Sequence, residues 1–321
     1  MKTTSFITPV TAELQEVEAY LLTQADGANS ELGVALKHLL SAGGKRIRPV
    51  MCLLTARMLG ASHKKMVILA TAVELLHTAT LVHDDLIDGA LLRRGNPTLN
   101  SHWSAPATVL TGDFLFARSA KLAAETDHLP LMKLFSETLA TIVNGELNQL
   151  FCARGFISRE DYYNRIYAKT ASLIEMTTRS AAMISPAGRT AVRAMKDFGY
   201  NLGMAFQIVD DILDFNGEQV KLGKPVGSDL LQGLVTLPAI YYAEAHPDDP
   251  DVICLSSGCY NEHERMERLV GSIRKSQSVD LSLAEALKFK EKALDKLSGM
   301  PEGIESQSLR ELADYIVQRR N

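Results

Sequence analysis

Residues 64 to 89 read KKMVILATAVELLHTATLVHDDLIDG, and their apolar positions run around most of a helix circumference instead of along one stripe. A helix of that kind is surrounded by other helices. A second such stretch covers roughly 188 to 216 and closes on QIVDDILDFN, followed by Gly217. Helical spacing is also predicted over 105 to 126, 130 to 152 and 159 to 184, with short connections such as TDHLP and ARGFIS between them. The alternation expected of half-buried strands is hard to find. The reading is therefore all-α, a single-domain antiparallel helical bundle over residues 1–321.

After the second apolar helix, residues 216 to 235 (NGEQVKLGKPVGSDLLQGLV) hold four glycines and a proline, which predicts a long ordered loop. Loops of that length are usually functional. Helical pattern resumes over 236 to 246 and about 261 to 319, with a polar break at HPDDP.

The chain has 321 residues, 46% hydrophobic and 22% charged, with a net charge of -4. These values exclude a disordered chain and a general basic surface for nucleic acid. Cys52, Cys152, Cys254 and Cys259 include no CxxC pair, which argues against a zinc site or disulfide framework. The first thirty residues lack the basic start and apolar block of a signal peptide, and no apolar run approaches the length of a membrane span. A cytoplasmic protein without a transmembrane segment is expected.

The chemistry sits where the two apolar helices end. Asp84, Asp85 and Asp88 form DDLID, and Asp210, Asp211 and Asp214 form DDILD. On a helix the first and last aspartates are i,i+4 neighbours, so each triplet crowds carboxylates onto one face. Such crowding is unfavourable without a cation, and carboxylates favour hard divalent ions. Magnesium takes one or two protein carboxylates together with waters and substrate phosphates. Two facing triplets would hold a small magnesium cluster around a diphosphate. The alternative, two ordinary solvated helix ends, is harder to reconcile with the apolar helix before each triplet.

GGKRIRP at 43 to 49 brings Lys45, Arg46 and Arg48 to a predicted helix start, a good place for an anion. Arg93 and Arg94 follow the first triplet closely. His77 lies two turns before Asp84 and could share its face, although a lone histidine is more often a core residue.

Together GGKRIRP, HTATLVHDDLIDGALLRRG, YAKT, FQIVDDILDF and GKPVGSDL resemble the trans-prenyl diphosphate synthase family, in order and over nearly the whole chain. The resemblance implies the isoprenoid synthase type I fold, an all-α bundle around a deep apolar cavity, usually dimeric. It implies Mg2+, with three ions when diphosphate is bound, held by Asp84, Asp85, Asp88, Asp210 and Asp214; the contact of Asp211 can be indirect. Arg93, Lys169 and Lys224 would contact the allylic diphosphate. Lys45, Arg48, His77 and Arg94 would hold isopentenyl diphosphate. Thr170 and Gln207 match positions beside the reacting carbons, and Arg319 and Arg320 resemble a tail that covers the isopentenyl site. The implied reaction is ionisation, condensation and elimination, repeated to a linear polyprenyl diphosphate.

Product length should follow from how deep the cavity runs below the first triplet. Ala79 and Thr80 lie about one helical turn, roughly 5.4 Å, before Asp84. Shorter-chain relatives carry an aromatic residue near here, whereas HTATL resembles the longer-chain branch, so a product longer than C20 is expected. Phe135 and Phe116 are candidate floor residues, with ordinary core packing the competing reading. One departure stands out: many relatives have lysine where this chain reads QGLVT with Leu234. GSDLLQG resembles the large subunit of two-component heptaprenyl synthases, so a heteromeric small subunit is an alternative to a homodimer.

Other readings make different demands. A farnesyl or geranylgeranyl synthase would share every motif but stop earlier. An HD-type metal phosphohydrolase could use the His83-Asp84 pair but needs further histidine ligands. A class I terpene cyclase usually lacks an intact second DDxxD, and a non-catalytic regulatory subunit need not keep both triplets and both basic clusters.

Overall fold

The computed structural model describes residues 5–26, 30–41, 44–93, 95–152, 158–216, 226–258 and 261–319. The protein is all-α, as the apolar periodicity predicts. Its chain divides into two compact units. One is built from the residues up to Glu137 with Met176–Met195 and Met300–Leu309, the other from Thr138–Glu175, Lys196–Gly299 and the residues from Arg310 onward.

In the first unit, helices α1 (Thr11–Thr23), α2 (Ser30–Ser41), α3 (Ile47–Met58), α4 (His63–Ile87) and α5 (Ala105–Ala124) lead into α6 (Leu129–Cys152). The quoted apolar stretch is α4, which packs most extensively on α5 and then on α3 and α1. Leu69, Ala70, Val73, Leu75 and Leu76 are almost wholly buried, each large side chain contributing about 1.5–3 kcal/mol. Polar groups in this helix are satisfied locally. The hydroxyls of Thr71, Thr78 and Thr80 donate to the carbonyls of Val67, Glu74 and His77, each at 2.8 Å. Ser119 of α5 donates to the Ala72 carbonyl at 2.6 Å. Gly112 of α5 makes room for the His83 ring of α4; a β-carbon at Gly112 would lie 2.1 Å from Nε2.

The expectation that no stretch is apolar enough for a membrane span needs correction. Helix α4 contains an 18-residue window of mean hydropathy 1.5. Because 78% of that window is buried inside the protein, its apolarity serves core packing. Two more local features go beyond the sequence reading. A ribbon of two-residue strands, Leu92–Arg93 paired antiparallel with Asn96–Pro97, follows the first aspartate triplet. The stretch predicted as one helix over 159 to 184 is divided into α7 (Arg159–Ile166), a π-helical turn (Tyr167–Ala171) and α8 (Ser172–Met183).

The second unit centres on the later part of α9 (Arg189–Asn216), which carries the second triplet. The N-terminus of α7 is fixed by a capping box: the Ser158 hydroxyl accepts from the Asp161 N–H, and the Asp161 carboxylate accepts from the Ser158 N–H. Short helices Ser228–Leu231, Leu237–Ala245 and Pro250–Ser256 precede three longer ones, His263–Lys275, Ser278–Leu297 and Ile304–Gln318. Of the loop predicted over 216 to 235, residues 217–225 lie outside the described residues.

Candidate active site

In the first unit, Asp84 and Asp85 occupy the last turn of α4 and Asp88 caps it, its N–H donating to the Asp84 carbonyl at 2.8 Å. Gly89 continues in the left-handed region at φ 62°, which releases the chain into the ribbon. The three carboxylates differ. Asp88 is exposed, Asp84 half-buried, and Asp85 only 7% exposed. Arg93, on the first ribbon strand, donates its Nε to Asp85 Oδ1 at 2.8 Å, with Nη2 also 2.8 Å from that oxygen. The ribbon thus returns a cation to the triplet.

His83, the residue that suggested an HD pair, lies against α5. Its Nε2 is 3.1 Å from the Val109 carbonyl and 3.6 Å from Asp113, and its ring meets Phe116 edge-on at 5.2 Å. Phe116 is therefore half-buried against His83, while Phe135 in α6 is 4% exposed. Ala79 is fully buried and Thr80 half-buried.

At the start of α3, Arg46 takes the left-handed conformation at φ 46°. An ion pair to the buried Glu74 at 2.8 Å and a bond from Nη2 to the Leu40 carbonyl at 2.8 Å hold it there. Arg46 therefore serves the fold, whereas Lys45 beside it is exposed and Arg48 is half-buried on the first turn. His77 is half-buried on α4. Arg94 lies outside the described residues.

In the second unit, Asp211 is the buried carboxylate, 4% exposed. It accepts from the Tyr162 hydroxyl at 2.7 Å and from Gln207 Nε2 at 2.8 Å. Burial, reinforced by the charge of Asp229, pushes its carboxyl up to about 7, against the lowering effect of those bonds and of Arg165. Asp210 pairs with Arg319 at 3.0 Å. The Arg319 guanidinium also stacks over the Phe206 ring, 4.0 Å from its centroid, and donates to the Phe206 carbonyl. Asp214 accepts from the Ser228 hydroxyl at 2.8 Å and from the Asp229 N–H at 3.3 Å, while Gly227 N–H donates to its backbone carbonyl at 2.9 Å. The GSD segment therefore folds onto the last aspartate. It requires glycine, since Gly227 has φ 70° and a β-carbon there would lie 2.5 Å from Val270.

Lys169 and Thr170 sit in the π turn. Lys169 is 3.1 Å from Glu146 of α6, and the Thr170 hydroxyl donates to Gln207 Oε1 at 2.6 Å. Two glycines admit this turn: β-carbons at Gly145 and Gly203 would approach Ala168 and Ala171 to 2.5 and 2.6 Å. Single π turns inside α-helices occur frequently at functional sites. Leu234 is half-buried, its N–H donating to the Asp229 carbonyl at 2.9 Å. Lys224 lies outside the described residues.

Sequence reasoning missed Tyr162, Arg165 and Glu146. The Ser158-x-x-Asp161 capping box marks where α7 starts and thereby puts Tyr162 and Ile166 together on its inner face, the signal that could have found Tyr162. Among the described residues no three carboxylate, imidazole or thiolate groups form a closed ligand set. The donors present fit a hard ion that takes few protein carboxylates and completes its shell with water and phosphate.

A polyprenyl synthetase family profile matches residues 29–271. The heptaprenyl diphosphate synthase component 2 of Geobacillus stearothermophilus is 39% identical over 321 residues, covering 99% of each chain. The crystal structure of a heptaprenyl diphosphate synthase from Staphylococcus aureus superposes with a TM-score of 0.92 at 35% identity, over 97% of this chain and 99% of that one. A polyprenyl synthase from Caulobacter crescentus, crystallised with calcium and isoprenyl diphosphate, gives a TM-score of 0.89 at 34% identity, over 99% and 98% of the two chains. The family profile covers most of the chain, and its sequence and fold match these enzymes over nearly their whole length: the chain belongs to the polyprenyl synthetase family.

Proposed function

We propose that this chain is a magnesium-dependent trans-prenyltransferase that condenses an allylic prenyl diphosphate repeatedly with isopentenyl diphosphate to a linear product longer than C20. The observation that carries the reading is the pair of apolar helices, each ending in DDxxD with its middle carboxylate held by protein groups. The heptaprenyl synthases similar to it over nearly their whole length support the long product.

Asp84, Asp85, Asp88, Asp210 and Asp214 would hold the magnesium ions, three with diphosphate bound. When bound, magnesium offsets the charge gathering on the departing diphosphate. Arg93, Lys169 and, by motif alone, Lys224 place cations on the same leaving group, so the allylic C–O bond breaks with its electron pair on diphosphate. Lys45, Arg48, His77 and, by motif alone, Arg94 hold isopentenyl diphosphate. Its double bond forms the new C–C bond to the allylic cation, and the proton lost in elimination passes to the released diphosphate. The oxygens of Thr170 and Gln207 face the cation, and exclusion of water protects it. Ala79 and Thr80 leave room for the growing chain, with Phe116 and Phe135 as floor candidates.

The chain works in the cytoplasm as a single functional domain and pairs with a second copy. The name of the Geobacillus relative, component 2, favours a second reading in which a smaller partner subunit is needed. Incubating the purified chain with isopentenyl and farnesyl diphosphates, with and without magnesium, tests the proposal. Magnesium-dependent release of diphosphate with formation of longer allylic products supports it. Hydrolysis without carbon-carbon bond formation contradicts it.

A further inference from the structure

Four side chains in the second unit form one hydrogen-bonded line. The Thr170 hydroxyl donates to Gln207 Oε1 at 2.6 Å, Gln207 Nε2 donates to Asp211 Oδ1 at 2.8 Å, and the Tyr162 hydroxyl donates to Asp211 Oδ2 at 2.7 Å. Tyr162, Thr170 and Asp211 are buried and Gln207 is half-buried, with Tyr162 wholly enclosed. Polar groups in such places act as a set, because each donor leaves its neighbour one arrangement with every bond made.

We infer that Tyr162 is a positioning residue for the prenyl transfer: by holding Asp211 it fixes the sense of the Gln207 amide and hence the placement of Thr170 in the π turn.

A glutamine amide can turn over, exchanging its oxygen for its NH2 group. Here the choice is made by its neighbours. Asp211, accepting from Tyr162, offers its other oxygen to Gln207 Nε2, which leaves Gln207 Oε1 as acceptor for Thr170. The opposite sense would set the NH2 group against the Thr170 hydroxyl and oxygen against oxygen at Asp211. On the proposed function, on which this inference rests, the sense matters because two oxygens then face a developing cation instead of an NH2 dipole. Tyr162 is itself rigidly placed. Its helix starts in the Ser158–Asp161 capping box, and Arg165, one turn on, donates to the Val235 carbonyl and lies close enough to Asp211 and Asp229 to feel both charges. The π turn to which Thr170 belongs is closed by Gly203, whose Cα approaches Ala171 too tightly for a side chain. Tyr162 and Arg165 therefore reach the chemistry only through other residues.

The test compares Tyr162→Phe with Tyr163→Phe. Both remove one hydroxyl from the same helix, but the Tyr163 hydroxyl bonds to Glu285 at 3.3 Å, away from the line. Two readouts are taken on folded protein: steady-state kinetics with farnesyl and isopentenyl diphosphates, and amide hydrogen exchange across residues 163–173. The inference predicts that Tyr162→Phe lowers kcat about tenfold, the loss expected for one buried bond to a charged group, with both KM values within about twofold. Exchange should rise in the π turn and not in α5, and Tyr163→Phe should change neither readout. A kcat within about twofold of the parent, or a loss carried by KM, overturns the inference. If the parent protein does not elongate any primer, the functional reading has failed, and exchange alone decides the positioning role: a rise confined to the π turn upholds it, and an unchanged turn rejects it.

Discussion

Arg93 brings Nε and Nη2 each to 2.8 Å from a single oxygen of Asp85, the middle carboxylate of the first triplet. In the second triplet the middle carboxylate, Asp211, is held by Tyr162 and Gln207. In both motifs the middle aspartate is the most enclosed of the three. A helix end with three nearby carboxylates is stable only if some of that charge is answered within the protein.

Replacing Arg93 tests its double duty. The ion pair is partly exposed, so its stability contribution is about 1 kcal/mol or less. On the proposed function, its charge beside the leaving diphosphate would contribute far more to rate. Arg93→Gln should lower kcat about 100-fold while lowering Tm by only a few degrees. Steady-state kinetics and calorimetry on the same preparation separate the two effects, and a large Tm loss with preserved kcat would reverse the assignment.

Arg319 sits on Asp210 with its side chain mostly enclosed. A divalent ion at Asp210 must displace or share that guanidinium. Arg319→Gln should therefore tighten manganese binding in the presence of inorganic diphosphate by about two- to fivefold, the worth of one such pair. Electron paramagnetic resonance of free manganese reads this directly; unchanged or weaker binding would show that the two cations do not compete.

The burial of Asp211 makes a prediction about pH. Its carboxyl is raised in the folded protein from 3.8 to about 7, so the folded state holds the proton more tightly than the unfolded chain. Stability from this group is complete below about pH 4 and is lost as pH rises through about 7. In metal-free buffer the parent should lose stability across that window, on the order of a few kcal/mol, relative to Asp211→Asn. Paired denaturation curves at pH 5 and pH 8 supply the comparison. A difference independent of pH would mean that the group titrates normally.

Gly203 permits the π turn, because any β-carbon there would lie 2.6 Å from the Ala171 backbone. Gly203→Ala should destabilise the protein by about 1–3 kcal/mol through overpacking and should also reduce kcat, since Lys169 and Thr170 move with the turn. Urea unfolding and kinetics should shift together; a stabilised variant would mean that the turn can yield.

Much of this was legible in the sequence because it depends on local pattern. Continuous apolarity marked α4 and the later part of α9, and the triplets marked their ends. What was hidden depends on contacts distant along the chain. Nothing near Arg46 says that it turns inward to Glu74, twenty-eight residues on. Tyr162 shows its role only once Asp211 is seen forty-nine residues away. The π turn was missed because a single wider turn leaves helical periodicity almost intact, and the ribbon at Leu92–Arg93 is too short for alternation to show. The length and mean hydropathy that α4 shares with a membrane span were passed over in the sequence, and its burial among neighbours shows that they serve the core.

The central claim is repeated elongation past C20, and the direct test is the purified chain with magnesium, labelled isopentenyl diphosphate and farnesyl diphosphate, followed by chromatography of the dephosphorylated products. A ladder ending well beyond C20 is expected. A ladder that stops at C20 would contradict the proposal that Ala79 and Thr80 leave room for a longer chain, and no elongation, alone or with a small partner subunit, would contradict the proposed function.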